Sequence, residues 1–261
     1  MLELNVITAK KDTFVIIMMN LHDSISLLFR KIQRIGMQET FREIQEVVWS
    51  HYQFHHIIKV IDLAAMKALQ ARYERQIGKE ENNIGKKGKR KYFAVRGYMI
   101  ENLRYVHRLG LQKSARPFHL LDIGTGFGYF PFLCQYFGHT ALGIDLTDFF
   151  VFNEMVNILN VRRTDCGVYA YHALPDFGEK FDIVTCFRVC FDRIKNGRWG
   201  VDEWAFFLAD LKAHQLNEDG RIFLRLNYIV EEKNTKLLTF FRAKGAHINF
   251  EKIYFTSLEK L

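Results

Sequence analysis

Leu-Leu-Asp-Ile-Gly-Thr-Gly-Phe-Gly-Tyr-Phe, residues 120–130, is the stretch on which the reading of this 261-residue chain turns. Apolar positions with a carboxylate among them, then glycine at alternate positions, then a further apolar run, predict a buried parallel strand that turns sharply into a helix. Gly124, Gly126 and Gly128 supply a backbone with no Cβ, free to take unusual φ/ψ and open to a ligand lying on the chain. The opening helix is expected to present unpaired N–H groups, which suit a carboxylate or a phosphate.

Two details narrow the ligand. A dinucleotide fingerprint sets its third glycine three positions after the second, and an acid at the strand end repels its phosphates. Here the third glycine follows after two, and Asp122 stands just before the loop. Such a site suits a ligand that carries both cations and an acid, and S-adenosylmethionine has an ammonium, a sulfonium and a carboxylate. An acid, one residue, then alternating glycines resembles the first motif of the class I (Rossmann-like) S-adenosylmethionine-dependent methyltransferases. A strand-to-helix turn with no ligand is the plainer alternative for the loop taken alone.

The next elements extend the resemblance. Thr140 to Leu146 reads as a second buried strand, and Asp145 follows Asp122 by 23 residues, the length of one βα step. An acid there can accept two hydrogen bonds from vicinal ribose hydroxyls. The resemblance implies that Asp122, Gly124, Thr125, Gly126 and Gly128 line the cofactor, that Asp145 takes its ribose, and that Leu146 packs on its adenine. Val168 to Tyr171 is expected as the third strand and Phe181 to Phe187 as the fourth. His172, with Ala173, stands nearest the family's adenine-binding Asp, and Phe187 falls where the family places residues near the methyl group. Arg221 to Leu226, after a turn at Asp219-Gly220, reads as a fifth strand. Ala246 to Ser257 leaves room for a compact closing pair.

Before this domain the chain reads as helical. Ile25, Leu28, Phe29 and Ile32 fall at helical spacing up to Gly36, and Thr40 with Glu43 forms a capping box opening a helix with Phe41, Ile44, Val48 and Tyr52 on one face. Further helices are expected over Leu63–Ile77 and Tyr92–Leu109. Within the last, Arg96 or Tyr98 is placed to reach the cofactor's carboxylate, as the resemblance implies. Residues 1–115 are therefore taken as a helical lid or partner surface, and 116–261 as the α/β, doubly wound, S-adenosylmethionine-binding domain.

Composition bounds the rest. The net charge of +8 is uneven: residues 1–118 hold 21 Lys+Arg against 11 Asp+Glu, and the remainder 16 against 18. Lys79 to Lys91 ends in a basic cluster, which reads as a solvated surface loop or as a contact for phosphates. Cys134, Cys166, Cys186 and Cys190 show no paired spacing and suit reduced core thiols, which points to the cytoplasm. The apolar run Phe14–Met19 is too short to span a bilayer, so no membrane partner is expected. His51 and His55 are one turn apart but have no third ligand nearby, so no metal is expected.

The resulting expectation is methyl transfer from S-adenosylmethionine to a small molecule, with RNA or another nucleic acid as the second reading, through the basic N-terminal region. A catalytically silent binding or scaffold protein on the same fold is the third. The Asn/Asp/Ser-Pro-Pro-aromatic sequence of amino-directed DNA methyltransferases and the Pro-Cys of cytosine-C5 enzymes are both missing after the fourth strand. Alignment of donor and acceptor can suffice for this chemistry, so no catalytic residue is assigned.

Overall fold

A computed structural model describes residues 32–33, 36–78, 88–147, 149–189, 191, 198–227, 235–249 and 251–261. The chain divides into two compact units, residues 1–52 and 53–261. In the first, helix α1 begins at Met37 and runs on as far as Ile57. Thr40 is not its cap. It lies in the fourth position of the helix, and its hydroxyl donates back to the Gly36 carbonyl at 2.8 Å, the local bond that Thr makes inside a helix. Phe41, Ile44, Val48 and Tyr52 are all exposed. The helix expected before Gly36 lies almost wholly outside the described residues.

The second unit opens with α2 (Leu63–Gly78), whose start is fixed by Asp62, accepting the Ala65 N–H at 2.9 Å. Of the basic stretch 79–91, residues 79–87 lie outside the described residues, and Gly88–Phe93 form a 3₁₀ segment. The helix expected from Tyr92 starts later: α3 spans Val95–Leu109 because Ala94 leaves helical geometry, with ψ 63°. Met99, Leu103 and Val106 bury one face of α3, and Gly110 ends it at φ 73°, a left-handed turn that glycine adopts without a Cβ penalty.

A seven-stranded sheet follows. In chain order the elements are β1 (His119–Ile123), α4 (Tyr129–Tyr136), β2 (Thr140–Asp145), α5 (Phe150–Ile158), β3 (Arg163–Asp165), β4 (Phe181–Phe187), α6 (Val201–Asp210), β5 (Leu216–Arg225), α7 (Thr235–Ala243), β6 (His247–Asn249) and β7 (Lys252–Phe255). Their spatial order is β3-β2-β1-β4-β5-β7-β6. β1 to β5 pair in parallel, and β7 is antiparallel to both β5 and β6. This is a doubly wound α/β fold whose order reverses between β1 and β4, the point at which such sheets leave a crevice.

Two strand expectations are corrected. The third strand is the polar Arg163–Asp165, paired with Gly143–Asp145, and not the apolar Val168–Tyr171. As an edge strand it has one neighbour and needs little apolar surface, while Tyr171 takes φ 60° and breaks any extended run. β5 begins at Leu216 rather than Arg221. Leu216 pairs with Phe181 and Arg221 with Ile183, so Asn217–Gly220 form an irregularity within the strand instead of a turn before it.

Alternation along the strands feeds two cores. Leu121, Ile123, Val184 and Leu224 join Trp204, Phe207 and Phe241 of α6 and α7 in one apolar cluster. On the other face Tyr105 of α3 stacks on Phe187 with centroids 4.0 Å apart, and Phe130 of α4 meets Phe187 at 4.9 Å. The second core brings α3 over the carboxyl ends of β4 and β5. Among the described residues no helix is long and apolar enough to cross a membrane.

Candidate functional site

The glycine loop lies against the end of β2. Gly124, Gly126 and Gly128 have φ of 72°, 55° and 80°. The Gly124 and Thr125 N–H groups donate to the Ile144 carbonyl at 2.8 and 3.1 Å, and Gly128 donates to Thr125 at 2.9 Å. Gly126 donates to Asp145 Oδ2 at 2.7 Å, while Leu146 donates to Oδ1 at 2.8 Å. These four loop N–H groups are spent on β2 and on the loop itself, because the turn folds directly onto the neighbouring strand.

The three glycines do different work. A Cβ on Gly124 would overlap the Val189 side chain, and one on Gly128 would stand 3.2 Å from Val156. Nothing lies within 4 Å of a Cβ on Gly126. Gly124 and Gly128 are needed for packing, and Gly126 faces open space.

That space is a cavity of about 360 Å³ at the reversal of the strand order. Six of the expected residues line it: Asp122, Gly124, Thr125, Gly126, Asp145 and Phe187. Gly128, Leu146, His172 and Ala173 are not among its lining residues. Gly128 turns into α4, Leu146 is exposed, and His172 is exposed with its Nδ1 at 2.8 Å from the Ala170 carbonyl. Tyr98 lines the cavity, whereas Arg96 lies over the Phe54 ring.

Asp122 is buried and accepts the Thr185 hydroxyl at 2.7 Å. Burial pushes its carboxyl up to about 7, with the bonds from Thr185 and Thr125 pulling it down in part and Asp145 adding a smaller push. A carboxyl in that state is ready to ionise when a cation arrives.

Sequence reasoning missed a second cluster, on the α3 side. Glu101 accepts from Arg188 at 2.9 Å and from Tyr105 at 3.1 Å, and also binds Arg225, which in turn reaches Glu251 at 2.8 Å. Burial works against the Glu101 charge, but Arg225 and Arg188 outweigh it and hold the carboxyl below its usual range. Burial, then Glu101, pushes the Tyr105 hydroxyl up to about 12. The partners come from residues 101, 188, 225 and 251, too far apart for any spacing to reveal. Among the described residues no group of His, Cys, Asp and Glu could hold a metal ion.

The chain matches no protein-family model and no curated protein. Among solved structures it is similar to the ribosomal protein L11 methylase of Lactobacillus delbrueckii subsp. bulgaricus, with 17% identity, a TM-score of 0.40, and coverage of 59% of this chain and 76% of that one. A second is CalS10, an amino pentose methyltransferase from Micromonospora echinaspora, with 22% identity, a TM-score of 0.38, and coverage of 50% and 51%. A third is the PH0226 protein of Pyrococcus horikoshii OT3, with 13% identity, a TM-score of 0.36, and coverage of 60% and 74%. The chain thus spans about half the length of CalS10. In its sheet order, its glycine loop after β1 and the acids at the ends of β1 and β2, the chain resembles the class I S-adenosylmethionine-dependent methyltransferases.

Proposed function

We propose that the protein is an S-adenosylmethionine-dependent methyltransferase acting on a small molecule, with residues 116–261 holding the cofactor. The observation that carries this reading is the convergence of Asp122, Gly126 and Asp145 on one cavity at the strand-order reversal.

The residues present fit that cofactor. Gly126 offers an open backbone surface, with nothing within 4 Å of where a Cβ would stand. Asp145 spends one bond from each oxygen on the loop, and each carboxylate oxygen accepts two, so both oxygens keep capacity for ribose hydroxyls. Asp122 would answer the ammonium. When bound, the cofactor supplies an electrophilic methyl on sulfur with a neutral thioether as leaving group.

The chain's own part is to align and to exclude water. Tyr98, Phe130 and Phe187 line the cavity, and aromatic side chains there suit a cationic centre and a planar acceptor. Glu101, held ionised by its arginines, and Tyr105, pushed up to about 12, are both poorly placed to accept a proton near neutrality, so no general base is assigned. A cavity of about 360 Å³ falls within the small-molecule range of roughly 300–1,000 Å³, room for a ligand of the cofactor's size.

Calorimetry decides the cofactor. S-adenosylmethionine and S-adenosylhomocysteine are expected to bind comparably and NAD not at all. NAD binding with no response to either adenosyl ligand would sink the proposal.

A further inference from the structure

The same cavity is lined by two cations, Lys91 and Arg188, that cofactor binding does not account for together. Arg188 is the first residue past β4, and its φ of 59° is unusual for a residue with a long side chain. Its backbone is pinned on both sides. The N–H donates to the Arg225 carbonyl at 2.7 Å, and the carbonyl accepts from Asn227 Nδ2 at 2.5 Å. Backbone strain of this kind persists only where surrounding structure over-determines it, and such sites concentrate where a side chain has to be aimed.

One N–H of the Arg188 guanidinium meets Glu101 at 2.9 Å, and the side chain is 49% exposed. A guanidinium has five donors in a planar fork, so an edge remains for a second, bidentate partner. Glu101 does not depend on Arg188 alone, since Arg225 and Tyr105 bind the same carboxylate. Lys91, on the segment before α3, lies with its ammonium 5.2 Å from the Tyr92 ring centre and forms no ion pair with a described residue. A single cofactor carboxylate answers one of these cations, and the other remains.

We propose that Arg188 is a specificity-determining residue that reads an anionic group on the methyl acceptor, a carboxylate or a phosphate carried on a small planar body. The proposal rests on the methyltransferase reading of the cavity. The planar fork favours a two-oxygen partner, and the aromatic side chains of Tyr98, Phe130 and Phe187 among the lining of the same cavity favour the planar body.

The test uses the full chain saturated with S-adenosylhomocysteine, titrated calorimetrically with benzoate and phenyl phosphate and with neutral benzyl alcohol and benzamide. The anionic probes are expected to bind about tenfold or more tightly than the neutral ones, the size of one charge-assisted contact. Arg188→Gln should erase that preference while S-adenosylhomocysteine affinity stays within about twofold, and Arg188→Lys should keep part of it, because the charge survives without the fork. Anionic probes that bind no better than neutral ones overturn the proposal. So does an Arg188→Gln protein that loses S-adenosylhomocysteine affinity and keeps the probe preference, since Arg188 would then serve the cofactor. If S-adenosylhomocysteine fails to bind the wild type, the cofactor reading fails separately, and the same probes on the unliganded protein still show whether Arg188 reads an anion.

Discussion

The Asp145 carboxylate accepts the Gly126 N–H at 2.7 Å, so the residue that closes β2 holds the middle of the loop that follows β1. One side chain fixes the loop and faces the cavity. Asp145→Ala is therefore expected to weaken S-adenosylmethionine binding by about 1.5–3 kcal/mol for each charge-assisted bond lost, without unfolding the domain. Calorimetry on a variant with an intact circular dichroism spectrum checks this, and an unchanged dissociation constant would mean that Asp145 does not face the ribose.

The glycines separate packing from binding. Gly124→Ala drives a methyl into Val189 and strains a left-handed position, so it should lower the melting temperature markedly. Gly126→Ala meets nothing and should cost only the left-handed strain, roughly 1–2 kcal/mol, yet it places a methyl in the cavity. Paired melting and titration experiments should show the first variant losing mainly stability and the second mainly ligand affinity.

Asp122 gives a pH signature. Its carboxyl sits at about 7 in the folded protein against an ordinary value of 3.8, so the folded state holds a proton that the unfolded state has released between those values. Its contribution to stability therefore falls as pH rises from about 4 to about 7 and is level above that. Cation affinity runs the other way, rising as Asp122 ionises. Asp122→Asn should flatten both trends in melting and cofactor titrations from pH 5 to pH 8.

The Glu101 cluster ties α3 to the ends of β4 and β5. Glu101→Ala leaves Arg225 and Tyr105 short of a partner in a half-buried setting, and a loss of about 1.5–3 kcal/mol is expected in urea unfolding. Tyr105→Phe keeps the stack on Phe187 and removes only the hydroxyl, so it should cost less, about 0.5–1.5 kcal/mol. Equal losses in the two variants would show that the carboxylate adds nothing beyond the tyrosine bond.

Local chemistry was enough to place the sheet's central elements. β1, β2 and β4 are mostly apolar on both faces, and β4 spans the expected Phe181–Phe187 while β2 stops one residue short of the expected Leu146, because a strand buried on both sides has to be written largely in apolar residues. Asp122, Gly126 and Asp145 were legible for the same reason: each sits at a fixed offset from a strand end. What the sequence could not settle is whatever depends on distant neighbours. β3 is polar because an edge needs little burial, and Thr40 bonds inside its helix although its spacing to Glu43 imitates a cap. Gly124 and Gly126 look alike in the sequence, and only Val189 above one and open space above the other give them different roles. Arg188, Arg225, Glu101 and Glu251 meet because α3 packs over the ends of β4 and β5, so that cluster was decided by tertiary structure alone.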